Sequence, residues 1–256
     1  MRLKIVNLIP TYNEKENILT LLSQLDLLSK KHPQYSWTTV IIDDNSPDGT
    51  GLLIKNFHPK FMRLILITGP KLGLGIAMRR GLNYLLKELD SDVVITNEAD
   101  FAYDLNLIPK AISKIKNGFD VVLSNRHGNK NSVQGWNLNR KFNHFVANTI
   151  FASWIAGVTK IIDHNGAFRA VKIKSIVDST NWDQFPSRGF GFFNFWTYLL
   201  TTQTSKIYQM PITYHFRSKG ESKVSLNPKY LFIYFHDVFE YILLCFRIRF
   251  LIWKLI

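Results

Sequence analysis

Two carboxylates, Glu98 and Asp100, stand two residues apart at the end of a short apolar run, Val94-Ile-Thr-Asn-Glu-Ala-Asp100. That spacing suits a hard divalent cation, because Mg²⁺ usually takes one or two protein carboxylates and completes its shell with substrate phosphates. Such a cation stabilises a departing diphosphate; the plainer alternative is a pair of solvated loop acids. Three further clusters offer groups for the rest of a phosphorylated ligand. Ile41-Ile-Asp-Asp-Asn-Ser-Pro-Asp-Gly-Thr50 places three Asp where a strand stops. Asp44 reads as an acceptor for a base or ribose, whereas Asp48 and Gly49 build a turn and cap the next helix. Ile9-Pro-Thr-Tyr-Asn-Glu14 supplies a stiff exit at Pro10, a flat face at Tyr12 and an acceptor at Glu14. Lys71-Leu-Gly-Leu-Gly-Ile-Ala77 puts two glycines before a helix, which permits close backbone approach to an anion. It matches neither the dinucleotide fingerprint nor a phosphate-loop lysine motif.

These clusters need elements to hold them. Lys4–Ile9, Thr38–Ile42, Leu64–Thr68, Asp92–Thr96 and Asp120–Ser124 read as strands. Between them, Glu14–Ser29, Gly75–Leu89 and Leu107–Lys116 read as helices; the first carries Ile18, Leu21, Leu22, Leu25 and Leu28 on one face. Strand-helix alternation implies an α/β domain with a mostly parallel, Rossmann-like sheet flanked by helices. Ligands of such sheets bind beyond the carboxyl ends of the strands, which is where all four clusters fall. The second half is less regular. Leu138–Ile155 and Phe192–Thr202 read as helical, Ala167–Val171 and Lys206–Thr213 as strands, and Tyr230–Ile256 as a strongly apolar tail.

Composition narrows the partners. With 32 basic and 19 acidic residues among 256, the chain carries +13 and favours anions: nucleic acid, anionic lipid or a phosphorylated substrate. No nucleic-acid-binding module is present, so nucleic acid is not expected. Cys245 is the only cysteine, which excludes a disulfide framework and a cysteine-rich zinc site and points to a reducing compartment. The apolar run Ile5–Ile9 ends at Pro10, too short for a signal-peptide core, so a cytosolic catalytic face is expected. There are 19 Phe, 6 Trp and 10 Tyr, and aromatics mixed with Lys and Arg suit a membrane interface. Asp237, Glu240, Arg247, Arg249 and Lys254 interrupt the tail, leaving no stretch that spans a bilayer. It reads either as an interfacial helix or as a helix packed on the core.

In their order and spacing the four clusters resemble the family 2 inverting glycosyltransferases of GT-A fold, and within them the dolichyl- and polyprenyl-phosphate mannosyltransferases. Pro10-Thr-Tyr-Asn-Glu14, Asp43-Asp44 with Ser46-Pro-Asp-Gly-Thr50, Gly73-Leu-Gly75, Ser124-Asn-Arg126 and Arg217-Ser-Lys-Gly-Glu-Ser-Lys223 carry the resemblance. It implies a GT-A catalytic domain over 1–225 and an apolar, amphipathic helical tail over 226–256. It implies that Pro10, Tyr12, Glu14, Ile42 and Asp44 line a nucleoside pocket, and that Ala99 and Asp100 touch the donor. Glu98 and Asp100 would hold Mg²⁺ or Mn²⁺. Arg126 would contact a donor or acceptor phosphate, Arg140 would face the acceptor phosphate, and Arg217 and Lys223 would close over the diphosphate. Asp100, Arg126 and Arg217 are the implied catalytic groups.

The implied reaction transfers a sugar, by default mannose from GDP-mannose, to a polyprenyl or dolichyl phosphate at the cytosolic membrane face, with a partner subunit or lipid charge holding the enzyme there. A phosphate acceptor is already an anion at neutral pH, so catalysis rests on positioning and charge stabilisation. Four positions depart from the family pattern: Glu98 replaces Asp, Ala102 replaces a metal-shell Gln, Asn165-Gly-Ala-Phe-Arg169 replaces Ser-Gly-Phe-Arg, and Thr197 stands for a Glu. Two alternatives follow. One is a relative using UDP-glucose or a glycan hydroxyl acceptor, with Asp163 and His164 the nearest candidates for the base a hydroxyl needs. The other is a non-catalytic nucleotide-sugar-binding protein.

Overall fold

A computed structural model describes residues 2–128, 132–133, 135–136, 138–189, 191–215 and 228–254. Seven strands form one sheet: β1 (Leu3–Thr11), β2 (Tyr35–Asp43), β3 (Arg63–Thr68), β4 (Val93–Thr96), β5 (Val121–Asn125), β6 (Arg169–Lys172) and β7 (Ile207–Pro211). Their order is β3-β2-β1-β4-β6-β5-β7, and only β6 runs antiparallel to its neighbours. β1, β2, β4 and β5 are near-continuous apolar runs because helices cover both faces of the sheet.

The helices are α1 (Lys15–Lys31), α2 (Thr50–Lys55), α3 (Leu74–Glu88), α4 (Leu107–Lys116), α5 (Leu138–Phe145), α6 (Gly191–Gln203) and α7 (Pro228–Lys254). α1 buries Ile18, Leu21, Leu22, Leu25 and Leu28, the face that its periodicity predicts. α5 continues as a wider π-helical stretch, Val146–Ile155. The periodic reading located these elements to within a few residues, except α2, for which it gave no bounds. It did not give the reversed direction of β6, which depends on where the chain returns from rather than on the strand's own residues.

Sheet direction aligns the sites. β1 pairs with β2 as far as Thr11↔Asp43, but with β4 only as far as Leu8↔Thr96. The last three residues of β1 therefore leave an open edge beside the turn that carries Glu98 and Asp100. This is the point where strand order reverses about β1, the usual ligand crevice of an open α/β sheet. β5 and β7 end on the same edge, because both run parallel to β4.

The aromatic excess has a use besides the surface. Trp182, Phe185, Phe192, Phe195 and Trp196 form an aromatic part of the core where α6 meets α3, with ring centroids 4.7–6.1 Å apart. Offset and edge-to-face rings stabilise such a cluster beyond their buried area. Among the described residues, the aromatics exposed at 44% or more are Phe61, Phe142, Phe145, Trp154, Phe235, Phe239, Phe246 and Phe250, all but Phe61 on the α5–Ile155 stretch and α7.

Candidate active site

Local hydrogen bonds shape each strand end. After β1, Asn13 adopts a left-handed backbone (φ 55°), and its N–H donates to Ser46 Oγ at 3.0 Å. After β2, Asn45 does the same (φ 50°), and Asp43 accepts from Thr11 Oγ1 and from the N–H and Oγ of Ser46. Asp48 accepts from the N–H of Lys15 and from the N–H and hydroxyl of Thr50, as its turn reading requires. After β4, Phe101 is left-handed (φ 61°), a costly conformation for a bulky side chain. Three such residues at three neighbouring strand ends concentrate backbone strain at this crevice, as functional sites do.

The residues expected to line a nucleoside pocket lie together. Pro10 stands opposite Ile42 across the sheet. Ile42 is fully buried, Pro10 and Tyr12 are half-buried, and Glu14 and Asp44 are buried. The Glu14 carboxylate accepts from Asn17 Nδ2 at 2.9 Å. Two partners were missed from sequence. Arg80 pairs with Asp44 at 3.1 Å, and Lys71 Nζ lies 3.5 Å from the centroid of the Tyr12 ring.

The glycine loop has a different task from the anion cradle its sequence suggests. The Gly75 N–H donates to Arg188 O at 2.8 Å. A Cβ on Gly73 would meet Arg188 O at 2.5 Å, and one on Gly75 would meet Ser187 O at 2.5 Å. These glycines let the start of α3 touch the backbone of 187–188.

On the acidic turn, Asp100 and Ala99 are buried and Glu98 is half-buried. Asp100 Oδ1 accepts from the Ala102 N–H at 3.1 Å. Ala102 is fully buried and supplies no ligand. Burial raises the Tyr214 phenol well above its ordinary range, and the charges of Glu98 and Asp100 raise it further. Two hard oxygen donors thus project negative charge into a low-dielectric, tyrosine-walled corner, a donor set that fits a divalent cation sharing substrate phosphates. His127, His144 and Asp163 also approach one another within 4.8 Å. They fit a cation poorly, because both Asp163 oxygens already accept from a guanidinium.

That guanidinium is Arg126. Its Nε and Nη2 each reach Asp163 at 2.7 Å, and its backbone N–H adds a third bond at 3.1 Å. Burial alone would lower Arg126, but Asp163 holds it above the arginine range; burial alone would raise Asp163, but Arg126 holds it far below the carboxylate range. The guanidinium also lies 5.6 Å from both the Trp136 and Tyr214 rings, with Arg140 4.7 Å from the other partner of this cluster, Trp136. Tyr103 meets Tyr214 edge-on at 5.2 Å, so aromatic rings link the acidic turn to the arginines. His215 N donates to Ala102 O at 3.1 Å where the chain leaves this corner. Arg217 and Lys223, expected over the diphosphate, lie outside the described residues.

The four departures from the family pattern also have places. Arg169 is buried with no carboxylate beside it among the described residues; it donates to Gly166 O and Phe193 O, and burial lowers it to about 9. The Thr197 hydroxyl donates to His164 O and Phe193 O.

Residues 8–177 match the glycosyl transferase family 2 profile, well over half of the chain. The chain belongs to glycosyl transferase family 2. This glycosyltransferase is 29% identical over 93% of its length to the dolichol-phosphate mannosyltransferase of Pyrococcus furiosus, and spans 63% of that protein. It is 26% identical over 85% of its length to the polyprenol monophosphomannose synthase of Mycolicibacterium smegmatis, and spans 80% of it. Among solved structures, mannosyl-3-phosphoglycerate synthase from Rubrobacter xylanophilus superposes with TM-score 0.66 at 14% identity, covering 96% of this chain and 74% of that one. A mannosyltransferase from Pyrobaculum calidifontis, in complex with GDP-Man and Mn²⁺, superposes with TM-score 0.53 at 16% identity, covering 89% and 59%. These likenesses establish the GT-A fold. Among the described residues, no helix is long and apolar enough to cross a membrane.

Proposed function

We propose that this glycosyltransferase moves mannose from GDP-mannose to a polyprenyl or dolichyl phosphate, with inversion, on the cytosolic surface of a membrane. The observation that carries the acceptor is the state of Asp163 and His164. A hydroxyl acceptor needs a base. Asp163 is closed off by Arg126, and His164 is fully buried, with its Nε2 3.0 Å from Ser153 Oγ, and is lowered by burial to about 4. A phosphate needs no base. The names of the two curated relatives agree with that choice, and the complex of the Pyrobaculum enzyme supports a nucleotide-sugar donor with a divalent cation.

In this reading Tyr12, Glu14 and Asp44 bind the nucleoside, with Pro10 and Ile42 as its walls. Ala99 and Asp100 border the donor sugar and diphosphate. Glu98 and Asp100 would hold Mg²⁺ or Mn²⁺, which when bound stabilises charge on the leaving diphosphate. Arg126 and Arg140 draw the acceptor phosphate to the open end of β5, while Arg217 and Lys223 add positive charge over the donor. One acceptor oxygen attacks the anomeric carbon as the bond to the nucleoside diphosphate breaks on the opposite side. Fixed guanidinium groups suit both phosphates, because they are planar and keep their charge. The exposed aromatics of α7 support an interfacial tail, and a partner subunit would add a second hold on the membrane.

A donor screen tests this. The protein is incubated with labelled GDP-mannose or UDP-glucose and Mn²⁺, with polyprenyl phosphate, a glycan alcohol or no acceptor, and lipid-linked product is separated. Mannosyl lipid formed only from GDP-mannose and polyprenyl phosphate is expected. Product on the alcohol, or tight donor binding with no transfer to any acceptor, would refute it.

A further inference from the structure

Helix α7 has two apolar faces. Tyr241, Leu244, Cys245 and Ile248 are buried, and Tyr241 Oη donates to Ala147 O at 3.0 Å. Phe235, Phe239, Leu243, Phe246 and Phe250 recur at helical spacing on the other side and are 42–67% exposed. Between the two faces, Glu240 Oε1 accepts from Ser187 Oγ at 2.6 Å, Arg188 N at 2.9 Å and Gly189 N at 3.4 Å, which fixes the helix to the 187–189 loop.

Beside this attachment lies a groove of about 410 Å³, whose walls include Arg79, Arg188, Phe239, Glu240, Leu243 and Arg247. Arg79 is committed to the carbonyls of Phe185 and Asp183, and Glu240 to its three donors. Arg188 and Arg247 are exposed, and no carboxylate pairs with either among the described residues. Phe239, Leu243 and Arg247 follow one another at four-residue steps, so hydrocarbon and charge lie in line along one wall. A soluble phosphate would neutralise the arginines and leave Phe239 and Leu243 in water. A neutral hydrocarbon would cover the apolar wall and leave two guanidiniums beside it. A molecule with an anionic phosphate and an attached chain satisfies both, and the groove opens along the exposed face of α7.

We propose that this groove binds an anionic bilayer lipid, with Arg188 and Arg247 on its headgroup phosphate and Phe239 and Leu243 against its first methylenes. The lipid is separate from the acceptor, whose phosphate is assigned to Arg126 and Arg140. This deepens the membrane reading of the tail and does not depend on which sugar is transferred.

The test uses the full chain and its R188Q/R247Q variant in flotation with vesicles of phosphatidylcholine alone or of equal phosphatidylcholine and phosphatidylglycerol. The variant should bind the anionic vesicles about thirtyfold more weakly, since each basic residue near an anionic surface contributes roughly 1 kcal/mol. Binding to the neutral vesicles and the thermal midpoint should not change. An R188K/R247K variant, which keeps the charge, should retain most of the binding. Dihexanoylphosphatidylglycerol below its micelle concentration should bind the wild type in calorimetry far more tightly than inorganic phosphate does. Equal vesicle binding by wild type and R188Q/R247Q would overturn the proposal, as would inorganic phosphate binding as tightly as the short lipid. Sugar transfer to a short, water-soluble polyprenyl phosphate is measured in parallel. Its absence in the wild type would count against the enzymatic reading alone, and its retention in the variant separates lipid binding from catalysis.

Discussion

The ends of β1, β2 and β4 and those of β5 and β7 share one edge of one sheet, yet they are held in different ways. On the first side, short turns satisfy their own polar groups: Ser46 and Thr11 hold Asp43, and Thr50 and Lys15 hold Asp48. Partners are few residues away, on the adjoining strand or at the start of the next helix, and they are the turns' own hydroxyls and backbone N–H groups rather than a buried opposite charge. On the second side, charge is deep. Arg126 and Asp163 are buried together, Arg169 is buried among carbonyls and rings, and Trp136, Tyr103 and Tyr214 exclude water around them. A local polar turn tolerates exchange of one group for water. A buried ion pair does not, because the remaining charge has no solvent to turn to. The side proposed for the donor can therefore vary in its groups, as Glu98 does, while the side proposed for the acceptor is built as a unit.

Four experiments can break or sharpen that contrast. The largest effect belongs to the buried pair: Asp163→Asn should cost about 3–5 kcal/mol of stability in urea unfolding, since it strands Arg126. A loss under about 1 kcal/mol would show that the second side is no stiffer than the first. Next, Asp100→Ala should lower the rate of sugar transfer by about a hundredfold to a thousandfold, within the range for removing one charge-stabilising group. Its thermal midpoint should stay close to wild type; unchanged transfer would remove Asp100 from the chemistry.

The third concerns pH. His164 is lowered by burial from its ordinary 6.5 to about 4. Below 6.5 the unfolded chain gains a proton that the folded chain refuses, so the stability from a neutral His164 is complete above 6.5 and is lost as pH falls towards 4. By pH 5 the loss should be about 2 kcal/mol. The stability gap between wild type and His164→Gln should narrow by that amount from about pH 7.5 to pH 5, and a gap independent of pH would contradict the assignment. The smallest effect is on the open side. Lys71→Met removes the cation above Tyr12, an interaction of roughly 0.5–1 kcal/mol at exposed sites, and should change donor KM by a few-fold with kcat preserved. A change as large as that of Asp100→Ala would mean that Lys71 acts on the reacting groups.

Much of the side proposed for the donor could be read directly from the chain. The strand-end turns at Asp43–Thr50 and Asn97–Asp100 are continuous in sequence, and part of their hydrogen bonds join residues two or three apart, so residue type and spacing already contain much of their local geometry. Periodicity likewise gave the buried face of α1 and the bounds of α4, because burial on one helix face imposes a repeat of 3.6 residues. The tail was open between core and interface, and the structure buries one face, with Leu244 and Cys245, and exposes the other, with Phe246 and Phe250. What only the tertiary structure decided was the set of partners between distant segments. Arg80 meets Asp44 across 36 residues, Arg126 meets Asp163 across 37, and Glu240 holds Arg188 across 52. No repeat or local motif encodes such meetings. They are fixed by the order and direction of strands, and that order depends on how the whole sheet buries its apolar residues, not on any one segment. The family and the α/β alternation were therefore determined by the sequence itself. The locked Arg126–Asp163 pair, the packing role of Gly73 and Gly75 and the groove beside α7 appear only when the chain is folded.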